Sequence, residues 1–187
     1  MPTRRRRSTS GNKVGPIALA APLAILLVAG GCKAASEPTA AKETTFCDGV
    51  PQMALAGRVT DAANVLTLEE EARLSERLTR YEERTKHQMI VATTPSLHGA
   101  RIDNFATCLG NRWRIGREGH DDGLVMLVAP QDRRVAISTG LGMEKLFPDD
   151  KALDAVKNMT TYFKRADYAD GVSAGVEAIA AQTGDPQ

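Results

Sequence analysis

Aromatic residues are scarce in this chain of 187 residues: four Phe, three Tyr and one Trp, 4% of the whole. Histidine is rarer still, at His87, His98 and His120 only. Three imidazoles spread that widely give no zinc set, and neither His-Glu-x-x-His nor a glycine-rich nucleotide fingerprint occurs. Charge of one sign is also lacking, with 24 Lys and Arg against 23 Asp and Glu. The balance conceals an asymmetry. Residues 1–31 hold Arg4, Arg5, Arg6, Arg7 and Lys13 and no acid, so the remainder carries a net charge of −4. A mildly acidic remainder without clustered Lys and Arg excludes nucleic acid as a partner. No apolar run has the length and the repetition of a multispan membrane protein. The hydrophobic share of 42% and charged share of 25% are those of an ordinary globular domain, and exclude fibrous and low-complexity classes.

The segment 1–31 reads as a secretory signal peptide: a basic start, then an apolar stretch from Ile17 to Ala29 broken only by Pro22. It ends in Ala29-Gly30-Gly31-Cys32, which resembles a bacterial lipobox. That resemblance implies cleavage before Cys32 and diacylation of its thiol, and two acyl chains suffice for stable anchoring. Lys33 rather than Asp follows the cysteine, which by resemblance to the sorting rules of Gram-negative bacteria favours the outer membrane. The expected setting is the periplasmic face of the cell envelope, lipid-anchored. Residues 32–49 form the acylated Cys and a tether rich in Ala, Thr, Glu and Ser without apolar periodicity. Residues 50–183 form one domain, and 184–187 a tail.

Outside Cys32, two cysteines remain, Cys47 and Cys108. In an oxidising envelope they are candidates for a disulfide, which would close a loop of about sixty residues and contribute about 4 kcal/mol in the chain-entropy account. The alternative is a buried thiol at Cys108.

Within the domain, Thr67-Leu68-Glu69-Glu70 is a capping box, followed by a helix with Leu74, Leu78 and Tyr81 on one face. Gln88 to Thr94 reads as a strand. Ile102, Phe105, Ala106, Leu109 and Trp113 recur at helical spacing. Leu124 to Ala129 is apolar throughout, as a central strand covered on both faces requires. Pro130-Gln131-Asp132-Arg133 turns the chain into an alternating strand from Arg134 to Thr139, and two helices follow at Lys151–Arg165 and Asp170–Ala181. The order predicts two parallel strands joined by a crossover, a third antiparallel to the second, and a three-layer α/β/α sandwich in which a small mixed sheet has helices on both faces.

Polar groups are densest between the second helix and the apolar strand: Arg112, Arg114, Arg117, Glu118, His120, Asp121 and Asp122, with glycines between them. The topology brings Asp121 and Asp122 beside Thr139-Gly140-Leu141-Gly142. Paired carboxylates at a glycine-rich turn offer hard oxygen ligands for Ca²⁺ or Mg²⁺; an Asp-Asp-Gly turn is equally an ordinary way to open a strand. Arg114 and Arg117 are candidate phosphate contacts, or simply a solvated face. Cys108 to Arg114 has the Cys-x5-Arg spacing of a phosphate-binding thiolate loop, but it begins inside a helix and not after a strand.

Val59-Thr60-Asp61-Ala62, Val65-Leu66-Thr67, Trp113-Arg114-Ile115-Gly116, Asp121-Asp122-Gly123-Leu124-Val125 and the run Asp132 to Glu144 together resemble the TPM domain family. That family takes its name from a thylakoid lumen acid phosphatase, a photosystem II repair protein and a levamisole-receptor modulator. The resemblance spans roughly Val59 to Ala180. It implies an α/β/α sandwich, a membrane-tethered extracytoplasmic setting, and a divalent metal near acidic loops, with Asp61, Asp121 and Asp122 on the family's acidic positions. Leu141 and Met143 depart from its usual residues. The function this implies is a divalent-metal-binding accessory module for an unknown envelope or membrane-complex partner. A metal-dependent phosphatase acting on phosphomonoesters and a structural adaptor without metal are the alternatives.

Overall fold

Leu124, Met126 and Val128 pack on one side of a strand and Val125, Leu127 and Ala129 on the other, and all six are buried. This strand, β3 (Gly123–Ala129), is the spine of the domain. The computed structural model describes residues 46–185. The readings made on residues 1–45, which include the signal segment, Cys32 and most of the tether, and on residues 186–187 lie outside the described residues. Four strands stand in the order β1-β2-β3-β4, with β1 at Val59–Asp61, β2 at Gln88–Thr93 and β4 at Arg134–Thr139. β1, β2 and β3 are parallel, and β4 is antiparallel to β3. The crossover and hairpin expected from the sequence are both present. The addition is β1, whose three residues are too few to show a period of two.

Four helices cover the sheet: α1 (Leu68–Thr85), α2 (Ile102–Trp113), α3 (Asp149–Phe163) and α4 (Tyr168–Gln182). α1, α3 and α4 bury Leu78, Tyr81, Met159, Val172 and Val176 against one face. α2 buries Phe105, Ala106 and Leu109 against the other. The result is the three-layer sandwich. No described helix is long and apolar enough to cross a membrane.

α1 begins where the capping box requires. Thr67 Oγ1 accepts from the Glu70 backbone N–H at 3.3 Å, and Glu70 Oε2 accepts from the Thr67 N–H at 2.7 Å. It ends at Lys86 in the left-handed region, φ 67°.

The segment before β1 is fastened to α2 in three ways. Cys47 and Cys108 are joined by a disulfide across 61 positions of sequence. The Arg112 guanidinium donates to the carbonyls of Cys47, Val50 and Pro51, and Trp113 Nε1 donates to Met53 O at 3.0 Å. Among the described residues, every apolar core residue and the disulfide-bonded cysteines fall within residues 47–180, so a chain beginning at Glu37 retains all of them.

A buried ion network closes the other end of the chain. Arg77 donates to Glu177 Oε1 and Asp185 Oδ2, each at 2.7 Å, and Arg84 donates to Asp185 Oδ1 at 2.8 Å. Asp185, read from sequence as tail, is only 4% exposed. The Arg84 hydrogen bond, with the Arg77 one, holds its carboxyl below the ordinary aspartate pKa against the opposing effect of burial. Removing Arg77 leaves the buried side of that carboxylate without its partner, which is costly for buried pairs. Arg77→Ala is expected to lose about 3 kcal/mol of stability, or roughly 10 °C in Tm. Thermal melting checks this against Arg80→Ala, which removes only the exposed Arg80–Glu76 pair and is expected to change stability by less than about 1 kcal/mol.

Candidate functional site

The polar loop between α2 and β3 is built around Asp122. Its Oδ1 accepts from the Arg117 backbone N–H at 2.7 Å. Its Oδ2 accepts from Arg117 Nε at 2.7 Å and Nη2 at 2.6 Å, and His87 Nδ1 lies 3.5 Å away. The carboxylate is 3% exposed. Burial alone would raise its pKa, but the Arg117 backbone N–H, the Arg117 guanidinium and His87 together outweigh it and hold the group below the ordinary aspartate value. Asp122 therefore ties the loop, the entry to β3 and the start of β2 to one point.

Two close backbone approaches explain the glycines around it. A Cβ on Gly123 would stand 2.2 Å from Ile115 O, and one on Gly116, at φ 103°, would stand 2.6 Å from Gly123 N. Across the turn after β4, a Cβ on Gly140 would meet Asp121 O at 2.1 Å and one on Gly142 would meet His120 O at 2.0 Å. The Gly142 N–H donates to Asp121 O at 3.0 Å. Asp121 itself is in the left-handed region, φ 49°, with an exposed side chain that makes no hydrogen bond or ion pair among the described residues. The sequence reading that Asp121 and Asp122 stand beside Gly140-Leu141-Gly142 agrees with this geometry.

Asp61 lies elsewhere. It ends β1 in register with Thr93, whereas Gly123 is in register with Gln88 at the far end of β2. At about 3.3 Å per residue, some 17 Å of strand separates the two ends. Asp61 Oδ1 accepts the Thr93 hydroxyl and Oδ2 accepts the Leu66 N–H, which fixes the turn into α1. Two of the three aspartates thus have both oxygens engaged, and they occupy opposite ends of the sheet. The three do not fit one Ca²⁺ or Mg²⁺ site.

The arginines and the histidine resolve in the same way. Arg117 is the partner of Asp122, while Arg114 closes α2 in the left-handed region at φ 53° with its side chain exposed. His120 is exposed, its Nδ1 3.1 Å from Glu118 O. Cys108, inside α2 and in the disulfide, forms no phosphate loop. Gly171-Val172-Ser173-Ala174-Gly175 has the Gly-x-Ser-x-Gly spacing of a nucleophile elbow. It lies wholly within α4, where Ser173 Oγ donates to Ala169 O at 2.8 Å, so the strand-to-helix turn of an elbow is absent there. His87 and Gln88 were not foreseen. Gln88 Oε1 accepts the Gly116 N–H at 2.7 Å, and only the pairing of β2 with β3 brings either residue to the loop.

The family model described as the TPM domain matches residues 59–182. The chain belongs to the TPM domain family. That match takes in β1 through α4, with Asp61, Asp121 and Asp122 inside it. Among solved structures, this TPM chain is similar to the N-terminal domain of a protein from P. gingivalis, with 27% identity and a TM-score of 0.63 over 75% of this chain and 86% of that one. It shares its fold with the N-terminal domain of cg2496 from Corynebacterium glutamicum, with 14% identity and a TM-score of 0.57 over 73% and 86% of the two chains. The same holds for BA42 from the psychrophilic bacterium Bizionia argentinensis, with 19% identity and a TM-score of 0.56 over 63% and 81%. No curated protein matches.

Because the folded-state pKa of Asp122 is lowered, its ionised form stabilises the TPM fold above the ordinary aspartate pKa of about 3.9. That contribution is lost as pH falls below this value through the lowered pKa. Asp122→Asn is expected to destabilise the domain by about 2 kcal/mol at neutral pH and to flatten the fall of Tm on acidification, equally in chelator and in Ca²⁺. Melting curves across pH check both.

Proposed function

We propose that this TPM domain is a lipid-anchored accessory module on the periplasmic face of a bacterial envelope, carried by acylated Cys32 to the outer membrane. It binds an envelope or membrane-complex partner and does not turn over phosphomonoesters. The observation that carries the reading is the state of the carboxylates. Hydrolysis at a metal needs ligands free to hold the ion and a group free to activate water. Asp61 and Asp122 are instead bound to Thr93, Leu66 and Arg117 at opposite sheet ends, and Arg117, whose charge a phosphate would need, is committed to Asp122. The Cys47–Cys108 disulfide supports an oxidising compartment. Two of the similar structures are N-terminal domains, a use that suits a module serving a larger assembly.

The deciding assay is hydrolysis of p-nitrophenyl phosphate by the chain from Glu37 onward, with Ca²⁺, with Mg²⁺ and with chelator, beside the Asp121→Asn/Asp122→Asn variant. No turnover above the variant is expected. Metal-dependent turnover lost in the variant would make the domain a phosphatase and overturn the proposal. For the anchor, Cys32→Ala is expected to move the full chain from the membrane pellet to the soluble fraction, and retention in the pellet would contradict acylation there.

A further inference from the structure

The carboxyl end of β3, the β3–β4 turn and the junction of α3 with α4 line an open cavity of about 620 Å³. Four cations line it: Arg133 and Arg134 from the turn, Lys164 and Arg165 from the end of α3. No acidic side chain among the described residues does so. Phe163 and Tyr168, whose rings stack at 5.4 Å, form part of the wall, together with the apolar side chains that end β3. Arg165 is partly committed, standing 5.3 Å over the Tyr162 ring and 3.9 Å from Asp167. The side chains of Arg133, Arg134 and Lys164 make no hydrogen bond or ion pair among the described residues. Asp132, in the same turn, is turned away and accepts the Leu97 N–H at 2.8 Å.

Each cation has an ordinary role taken singly. Arg134 guards an edge strand, and Lys164 suits the negative end of α3. Those roles do not require the two elements to face their charges into one concavity. Like charges held close together repel one another, and an anion joining them relieves that repulsion; against the net charge of −4 over residues 32–187, this group of cations is the exception. Its volume falls in the range of small-molecule sites. It lies where the carboxyl end of β3 meets the start of β4. The amino end of α4 at Tyr168 adds a positive pole.

We infer that this cavity is a binding site for a phosphate-bearing ligand with an apolar or aromatic body. The guanidinium groups and Lys164 take the phosphate charge, and the Phe163/Tyr168 wall takes the body. The phosphate comes either from a lipid headgroup or from a soluble organic phosphate. The site lies at the opposite end of the sheet from Asp121 and Asp122, and it does not depend on the accessory-module reading.

The test uses the chain from Glu37 onward and two probes. The first is inorganic pyrophosphate, followed by titration calorimetry. The second is sedimentation with phosphatidylglycerol vesicles against phosphatidylcholine vesicles. Arg134→Ala/Lys164→Ala is the site variant, and Arg80→Ala is the control for a lost surface charge. Both site residues are exposed, so the variant is expected to melt with the wild type. Pyrophosphate is expected to bind, with affinity falling at least about tenfold in the site variant, falling with added salt and unchanged in the control. Preference for phosphatidylglycerol vesicles, lost in the site variant, assigns the phosphate to a lipid. Pyrophosphate binding without that preference assigns it to a soluble ligand. Failure to bind either probe, or equal binding by wild type and site variant, would overturn the inference.

Discussion

One buried carboxylate organises this domain. Asp122 immediately precedes β3, the strand buried on both faces, and receives the Arg117 backbone N–H on one oxygen and the Arg117 Nε and Nη2 on the other. Since β3 pairs with β2 on one side and β4 on the other, whatever fixes the start of β3 fixes the register of the sheet. The glycine contacts follow from the same point. Gly116 and Gly123 approach backbone to backbone because the loop folds tightly on Asp122, and Gly140 and Gly142 lie against the carbonyls of Asp121 and His120 because β4 returns past that loop. A buried ionised group left without such partners would cost several kcal/mol; here its partners outweigh the burial and keep it charged.

The two ends of the sheet consequently differ in character. At the amino end of β3, charge is used up internally, in the contacts of Asp122 with Arg117 and His87. At the carboxyl end, Asp61 is spent on the turn into α1, while Arg133, Arg134 and Lys164 keep their charge for whatever enters the cavity beside them. A binding module is consistent with this division, because the groups that hold the fold and those that face outward are separate sets.

Much of this was legible in the sequence. The unbroken apolar run of β3, the Thr67–Glu70 capping box and the Leu74/Leu78/Tyr81 stripe each carry a local period or motif, and each is where it was expected. Cys47 and Cys108, the two cysteines outside Cys32, were candidates for a pair with a buried thiol as the alternative, and the two are joined. What stayed hidden depends on non-local contact. β1 is three residues long and is defined only by pairing with Val91–Thr93. The separation of Asp61 from Asp121 follows from strand register, which no single segment encodes. Charged residues in a loop look alike whether they face a ligand or each other, so Arg117 and Asp122 read as a site until their distances were known. The cationic cavity has no local signature, because its two halves, Arg133-Arg134 and Lys164-Arg165, are about thirty residues apart.

The claim that Asp122 is a structural anchor and not a metal ligand is open to direct observation. Titration of its side-chain carboxyl carbon by NMR, once in chelator and once with saturating Ca²⁺, reads the charge and surroundings of that one group. The account predicts a pKa below the ordinary aspartate value in both, with the same chemical shift at neutral pH. An ordinary pKa in chelator, or a shift and pKa that move when Ca²⁺ is added, would contradict it.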